Sequence, residues 1–93
     1  MLALFSGQLL KKEVKMKIYC IADNIDTALG LKLAGSDSVV AESSEEVEKE
    51  LEKVIQNSEI GILVITKKVY ESSKVKIDEI RYKRKLPLIT ILD

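Results

Sequence analysis

Two carboxylates, Asp23 and Asp26, sit directly after an apolar run and are the residues with the most obvious capacity for chemistry. Clustered acids at such a place can hold Mg²⁺ beside an aspartate that accepts a phosphoryl group. That chemistry needs a further aspartate at the end of the third apolar run, where this chain has Ile65-Thr66, and a lysine on a fifth strand, for which no segment remains. The plainer reading takes Asp26 as the N-cap of a helix and Asp23 as a solvated turn residue. Cys20 is a possible thiol nucleophile, but it lies inside an apolar run and not in an electropositive loop, so it reads as a small buried hydrophobe. The glycines form neither a dinucleotide fingerprint nor a phosphate-binding loop. Arg81, Tyr82, Lys83, Arg84 and Lys85 make a local basic patch, which reads first as cations at a helix C-terminus, favourable to its dipole.

The elements that would position these residues alternate regularly. Residues 17–22 are a near-continuous apolar run, as expected of a strand covered on both faces. A helix follows, capped by Asp26, running through Ala28, Leu29 and Leu33 and stopping at Gly35. Residues 38–41 form a short second strand, and Ser43-Ser44-Glu45-Glu46 fits a capping box in which Glu46 reaches back to the Ser43 amide. Val47, Leu51, Val54 and Ile55 then recur at helical spacing, with Glu45, Glu48, Lys49, Glu52 and Lys53 around them. Residues 60–65 are a third, β-branched strand whose Gly61 is expected to permit close helix packing. Thr66 is expected to cap a third helix with Val69, Ser73, Ile77 and Ile80 inward, a weak point at Ser72-Ser73 and an end by Lys85, ahead of Pro87. Residues 88–92 supply the fourth strand.

This order predicts an α/β fold: a small Rossmann-like three-layer domain with a four-stranded parallel sheet, order 2-1-3-4, and helices on both faces. In such sheets the functional loops lie at the carboxyl ends of the strands, especially where strand order reverses. Here that locus holds Asp23, Asn24 and Asp26, with Thr66 and Lys67 after the third strand.

Composition narrows the function. With 93 residues the chain has room for one core, and 46% hydrophobic with 32% charged residues is a globular mixture. Fifteen basic residues balance fifteen acidic ones, so no net field favours nucleic acid. One cysteine and no histidine remove disulfide frameworks, the usual zinc and haem ligand sets and every imidazole base. No apolar run approaches the roughly 18 residues that a bilayer requires. A neutral domain with separate acidic and basic faces suits oriented docking to proteins, without cofactor or metal.

Residues 1–15 stand apart. Their apolar cluster precedes Lys11 and Lys12, the reverse of a signal peptide. Leu2, Phe5, Leu9 and Val14 fall near helical spacing, so the segment reads either as an extra amphipathic helix or as an extension upstream of a translation start at Met16.

The stretch Ala22-Asp23-Asn24-Ile25-Asp26-Thr27-Ala28-Leu29-Gly30-Leu31-Lys32-Leu33-Ala34-Gly35 resembles the G-D-x-D-T-x-x-G-F-x-L-A-G signature of the F subunit of the V-type (archaeal and bacterial A/V-type) rotary ATPases, with Ala22 and Leu31 as mild departures. Glu59 to Thr66 and Lys85 to Ile89 resemble that family's I-G-I-x-x-I-T and K-x-P-x-I stretches. The resemblance implies an F-type α/β domain over residues 16–93, preceded by an extension, residues 1–15, without family counterpart. It further implies a non-catalytic rotor subunit in the central stalk of an ATPase or ATP synthase that moves H⁺ or Na⁺. Such a subunit binds the coiled-coil D subunit on the cytoplasmic face, without membrane insertion, and influences coupling. The family's C-terminal helical tail has no counterpart before Asp93. The expected partner-binding residues are Asp23, Asp26, Thr27, Gly30, Leu33 and Gly35; a rival use of the glycines is close packing on the sheet. The rival function is a degenerate receiver-like signalling module, suggested by Asp23 and Asp26.

Overall fold

In the computed structural model, which describes residues 16–92, four parallel strands alternate with helices. They are β1 (Lys17–Ala22), α1 (Ile25–Leu33), β2 (Asp37–Val40), α2 (Ser44–Gln56), β3 (Ile60–Thr66), α3 (Lys67–Ser72), α4 (Lys74–Lys83) and β4 (Leu88–Leu92). The extra helix expected within residues 1–15 lies outside the described residues. The sheet order is β2-β1-β3-β4, the expected one. Because side chains alternate across a strand, the sheet divides its apolar residues between two unequal layers. On one face Tyr19, Ile21, Val39, Leu63, Ile65, Ile89 and Ile91 meet Val47, Leu51 and Val54 of α2, Val69 of α3, and Ile77 and Ile80 of α4. On the other face Cys20, Ala22 and Val64 meet only Ala28 and Leu31 of α1.

The cap of α1 differs from expectation. Asn24, not Asp26, is the N-cap: its side-chain oxygen accepts from the Thr27 amide at 2.8 Å. Pairing of Ala22 with Val40 holds the chain extended as far as the end of β1, so the turn falls two residues earlier. Asp26 instead lies in the first turn, where its charge still favours the helix dipole. The C-terminal stop is as expected. Gly35 takes φ +108, its amide donates to Lys32 O at 3.1 Å and the Ser36 amide to Leu31 O at 3.0 Å, the paired bonds of a Schellman motif.

In α2 the Ser43 hydroxyl accepts from the Glu46 amide at 3.2 Å, as a capping box requires. The Glu46 carboxylate, however, accepts from the Glu42 amide at 2.8 Å, one residue further back than the expected Ser43 amide. Val47, Leu51 and Val54 are buried and Ile55 partly so. Strand β2 begins one residue early, at Asp37, which registers with Tyr19. The Tyr19 hydroxyl donates to Glu50 Oε1 at 2.9 Å, so β1 and α2 are tied by a polar contact as well as by packing.

Gly61 does not serve helix packing. The β1–β3 register shifts there, from Lys17 with Ile60 to Ile18 with Ile62, and a Cβ on Gly61 would lie 2.5 Å from Met16 Sδ. The missing side chain makes room for Met16.

The expected third helix is two. Val69, Ser73, Ile77 and Ile80 are all buried, but the helix breaks at Ser73, which has φ −139 and ψ 41. The Ser72 hydroxyl donates to Val69 O at 2.9 Å, a local bond that competes with the helical ladder. Helix α4 ends at Lys83, before Pro87.

Candidate docking site on the first helix

The carboxyl ends of β1 and β3 meet through Thr66. It stands at the N-cap position of α3 but makes no side-chain capping bond. Its Oγ1 instead accepts from the Asp23 amide at 3.2 Å, across the sheet. The Thr66 hydroxyl beside it holds the Asp23 carboxyl below the usual aspartate range, against the opposing effect of burial, with help from Asn24 and Lys68. Asp23, Ala41, Glu42, Lys68, Val69 and Ser72 line a cleft of about 340 Å³ at this end of the sheet.

Thr66→Val keeps the β-branched shape and removes the acceptor. The Asp23 amide then loses its partner, at a cost of about 1 kcal/mol. The sign of the pH effect follows from the lowered folded pKa: the carboxylate's contribution is present above the ordinary value of 3.8 and is lost as pH falls through the folded one. Thr66→Val therefore raises the Asp23 pKa toward 3.8 and flattens stability against pH in that acid window. An NMR titration of the Asp23 carboxyl in both proteins measures it.

The other chemical candidates are absorbed by the fold. Cys20 is fully buried and its thiol pKa is pushed up by burial, which suits a hydrophobe. Among the described residues no group of three or more His, Cys, Asp or Glu is placed to hold a metal ion, and no helix is long and apolar enough to cross a membrane. Within the basic patch Lys83 pairs with Glu79 at 3.0 Å, and Arg84 donates to Ile55 O, in the last turn of α2, at 3.3 Å.

Five of the six expected partner-binding residues ride on α1 and its cap, and Asp23 stands in the turn before it. Asp26 is exposed, Thr27 is half-buried and Leu33 is 87% exposed. Gly30 and Gly35 are also exposed, and a Cβ on either would meet no atom within 4 Å. Packing against the sheet therefore does not explain the glycines; on α1 that role falls to Ala28 and Leu31.

Two further residues belong to this surface. Ile25 and Leu29 are 64% and 52% exposed and share the i, i+4, i+8 row with Leu33, so α1 carries an apolar stripe outside as well as an apolar face inside. A helix apolar on both sides is normally covered on both sides. The signal was visible in Ile25-Asp26-Thr27-Ala28-Leu29-Gly30-Leu31-Lys32-Leu33, which holds more large apolar residues than one face can bury.

A family model described as ATP synthase (F/14-kDa) subunit matches residues 18–92. Among solved structures the chain is similar to the crystal structure of the F subunit of the V-type ATP synthase from Archaeoglobus fulgidus. The TM-score is 0.69 at 25% sequence identity, over 85% of this chain and 99% of that one. No curated protein matches the chain.

Proposed function

Because this chain belongs to the family of the ATP synthase (F/14-kDa) subunit, we propose that it is a non-catalytic rotor subunit in the central stalk of a V-type ATPase or ATP synthase. It binds the coiled-coil D subunit with the outer side of α1, using Asp23, Asp26, Thr27, Gly30, Leu33 and Gly35 together with Ile25 and Leu29. The observation that carries this reading is the row Ile25, Leu29 and Leu33, apolar and exposed on a helix whose other side is already packed. A long α-helical partner offers a complementary apolar stripe, and Gly30 lets its backbone approach closely. Residues 16–93 form the F-type α/β domain, and residues 1–15 are an addition to it.

The protein acts by position and not by chemistry. It turns with the rotor, peripheral to the membrane on the cytoplasmic face, and influences how ATP hydrolysis or synthesis is coupled to ion movement. The test is direct: the purified chain is mixed with the D subunit of the same enzyme at micromolar concentration and run on size exclusion. A single co-eluting complex is expected, and two separate peaks would overturn the proposal.

A further inference from the structure

The chain enters the fold at Met16, and the way it enters bears on residues 1–15. Met16 has the same strand parity as Ile18 and Cys20, so it belongs to the face of the sheet that carries α1, where its side chain lies over Gly61. On that face α1 covers Cys20, Ala22 and Val64, toward the carboxyl ends of the strands. The amino-terminal half lies open. Ile18 registers with Ile62 and Ile62 with Leu88, which puts three apolar side chains in one row across β1, β3 and β4. Ile18 is 43% exposed, Leu88 60% and Met16 beside them 54%, while Ile62 is half-buried.

We propose that residues 1–15 dock on this row as a short amphipathic helix. The two surfaces match in character and reach. Leu2, Phe5 and Leu9 recur at i, i+3 and i+7, an apolar stripe that needs a surface to cover it. A helix of that length spans roughly 22 Å, ample for a row that crosses three strands in about 10 Å. So short a helix is marginal alone in water and gains its stability from the docking itself. Lys11, Lys12 and Lys15 bring cations toward Asp37 and Glu59, which stand at the same end of the sheet.

Tethering selects this occupant over a second copy of the chain. The segment is joined to the row at Met16, so its effective concentration is of millimolar order, far above that of a separate molecule in a micromolar solution. The docked helix lies on the sheet floor and not on the outer stripe of α1, so the inference stands independently of the proposed binding of the D subunit.

The experiment uses the full chain. Lys11→Cys is labelled with a nitroxide; Cys20 is fully buried and stays unlabelled. The expected result is that the amide signals of Ile18, Ile62, Leu88 and Thr90 lose most of their intensity, whereas those of Leu51, Ile77 and Ile80 on the opposite face keep theirs. Adding Phe5→Ser and Leu9→Ser to the same labelled chain should restore the lost signals, and neither residue belongs to the core. Equal, weak broadening on both faces would overturn the proposal by showing a free tail. Broadening that appears only when a labelled chain is mixed with an isotopically enriched, unlabelled one would assign the row to a second copy. Signals of the row that respond only to added D subunit would assign it to the stalk. Either of these also overturns the proposal.

Discussion

Leu51→Ala will lower the stability of the fold by about 3 kcal/mol, the middle of the range for deleting a buried leucine side chain. Leu51 is fully buried at the centre of α2, flanked by Val47 and Val54 in the larger of the two cores. That core joins three helical segments to the sheet, so the cavity left by truncation has walls on several elements and cannot close by moving one of them. The consequence is large because small domains bury a smaller share of their surface and have little stability to spare. A loss of this size corresponds to roughly 15 °C in Tm for a domain of this length. The control is Leu33→Ala, the same chemical change at a position 87% exposed, where a shift within about 0.5 kcal/mol is expected. Urea titrations followed by far-ultraviolet circular dichroism give both numbers; equal costs at the two positions would contradict the placement of α1 and α2.

The sheet and its order were legible because short β-branched runs separated by helical patterns leave few topologies open. Helix α2 was legible for a similar reason, since its charged residues mark the solvent side and only one apolar face remains. What could not be read depended on contacts between residues distant in sequence. Thr66 has the right type and place for a cap, yet its oxygen serves the Asp23 amide, 43 positions away. Asp26 and Asn24 are both good caps, and the choice between them is made by where β1 stops pairing with β2. Gly61 is equally suited to admit a helix or a side chain, and it admits Met16. The break at Ser73 was foreseeable from serine chemistry alone because the competing bond, Ser72 to Val69, is local.

The docking surface was half legible for a related reason. The loop and helix residues from Asp23 to Gly35 were identifiable by motif, but which side of α1 faces outward was not. With Ile25, Ala28, Leu29, Leu31 and Leu33 all apolar, the helix has no polar face to betray its orientation. Only the sheet decides: Cys20, Ala22 and Val64 leave room for Ala28 and Leu31, and the larger Ile25, Leu29 and Leu33 are turned away. The small side of the helix is used inward and the bulky side is left for something else.

That asymmetry gives the second large effect. If the D subunit covers the outer stripe, Leu29→Lys combined with Leu33→Lys will weaken the complex by about a hundredfold, since burying an unpaired ammonium in an apolar contact costs at least as much as losing a hot-spot side chain, roughly 2–3 kcal/mol. The choice of lysine isolates the interface. Lysine is nearly as good a helix former as leucine, and cations in the last turn favour the helix dipole, as Lys32 already does. Both positions are more than half exposed, so the free protein should unfold at nearly the wild-type temperature. Glu48→Lys on α2 makes the same change in net charge as the two lysines together and lies on an element packed against the opposite face of the sheet. It should leave the equilibrium affinity within a few fold and alter chiefly the salt dependence of association. Isothermal titration of each variant with the D subunit separates the cases. Weakening by the α1 pair alone places the stalk on the stripe, whereas weakening by Glu48→Lys alone moves it to the acidic helix and would leave Ile25, Leu29 and Leu33 for another component of the stalk.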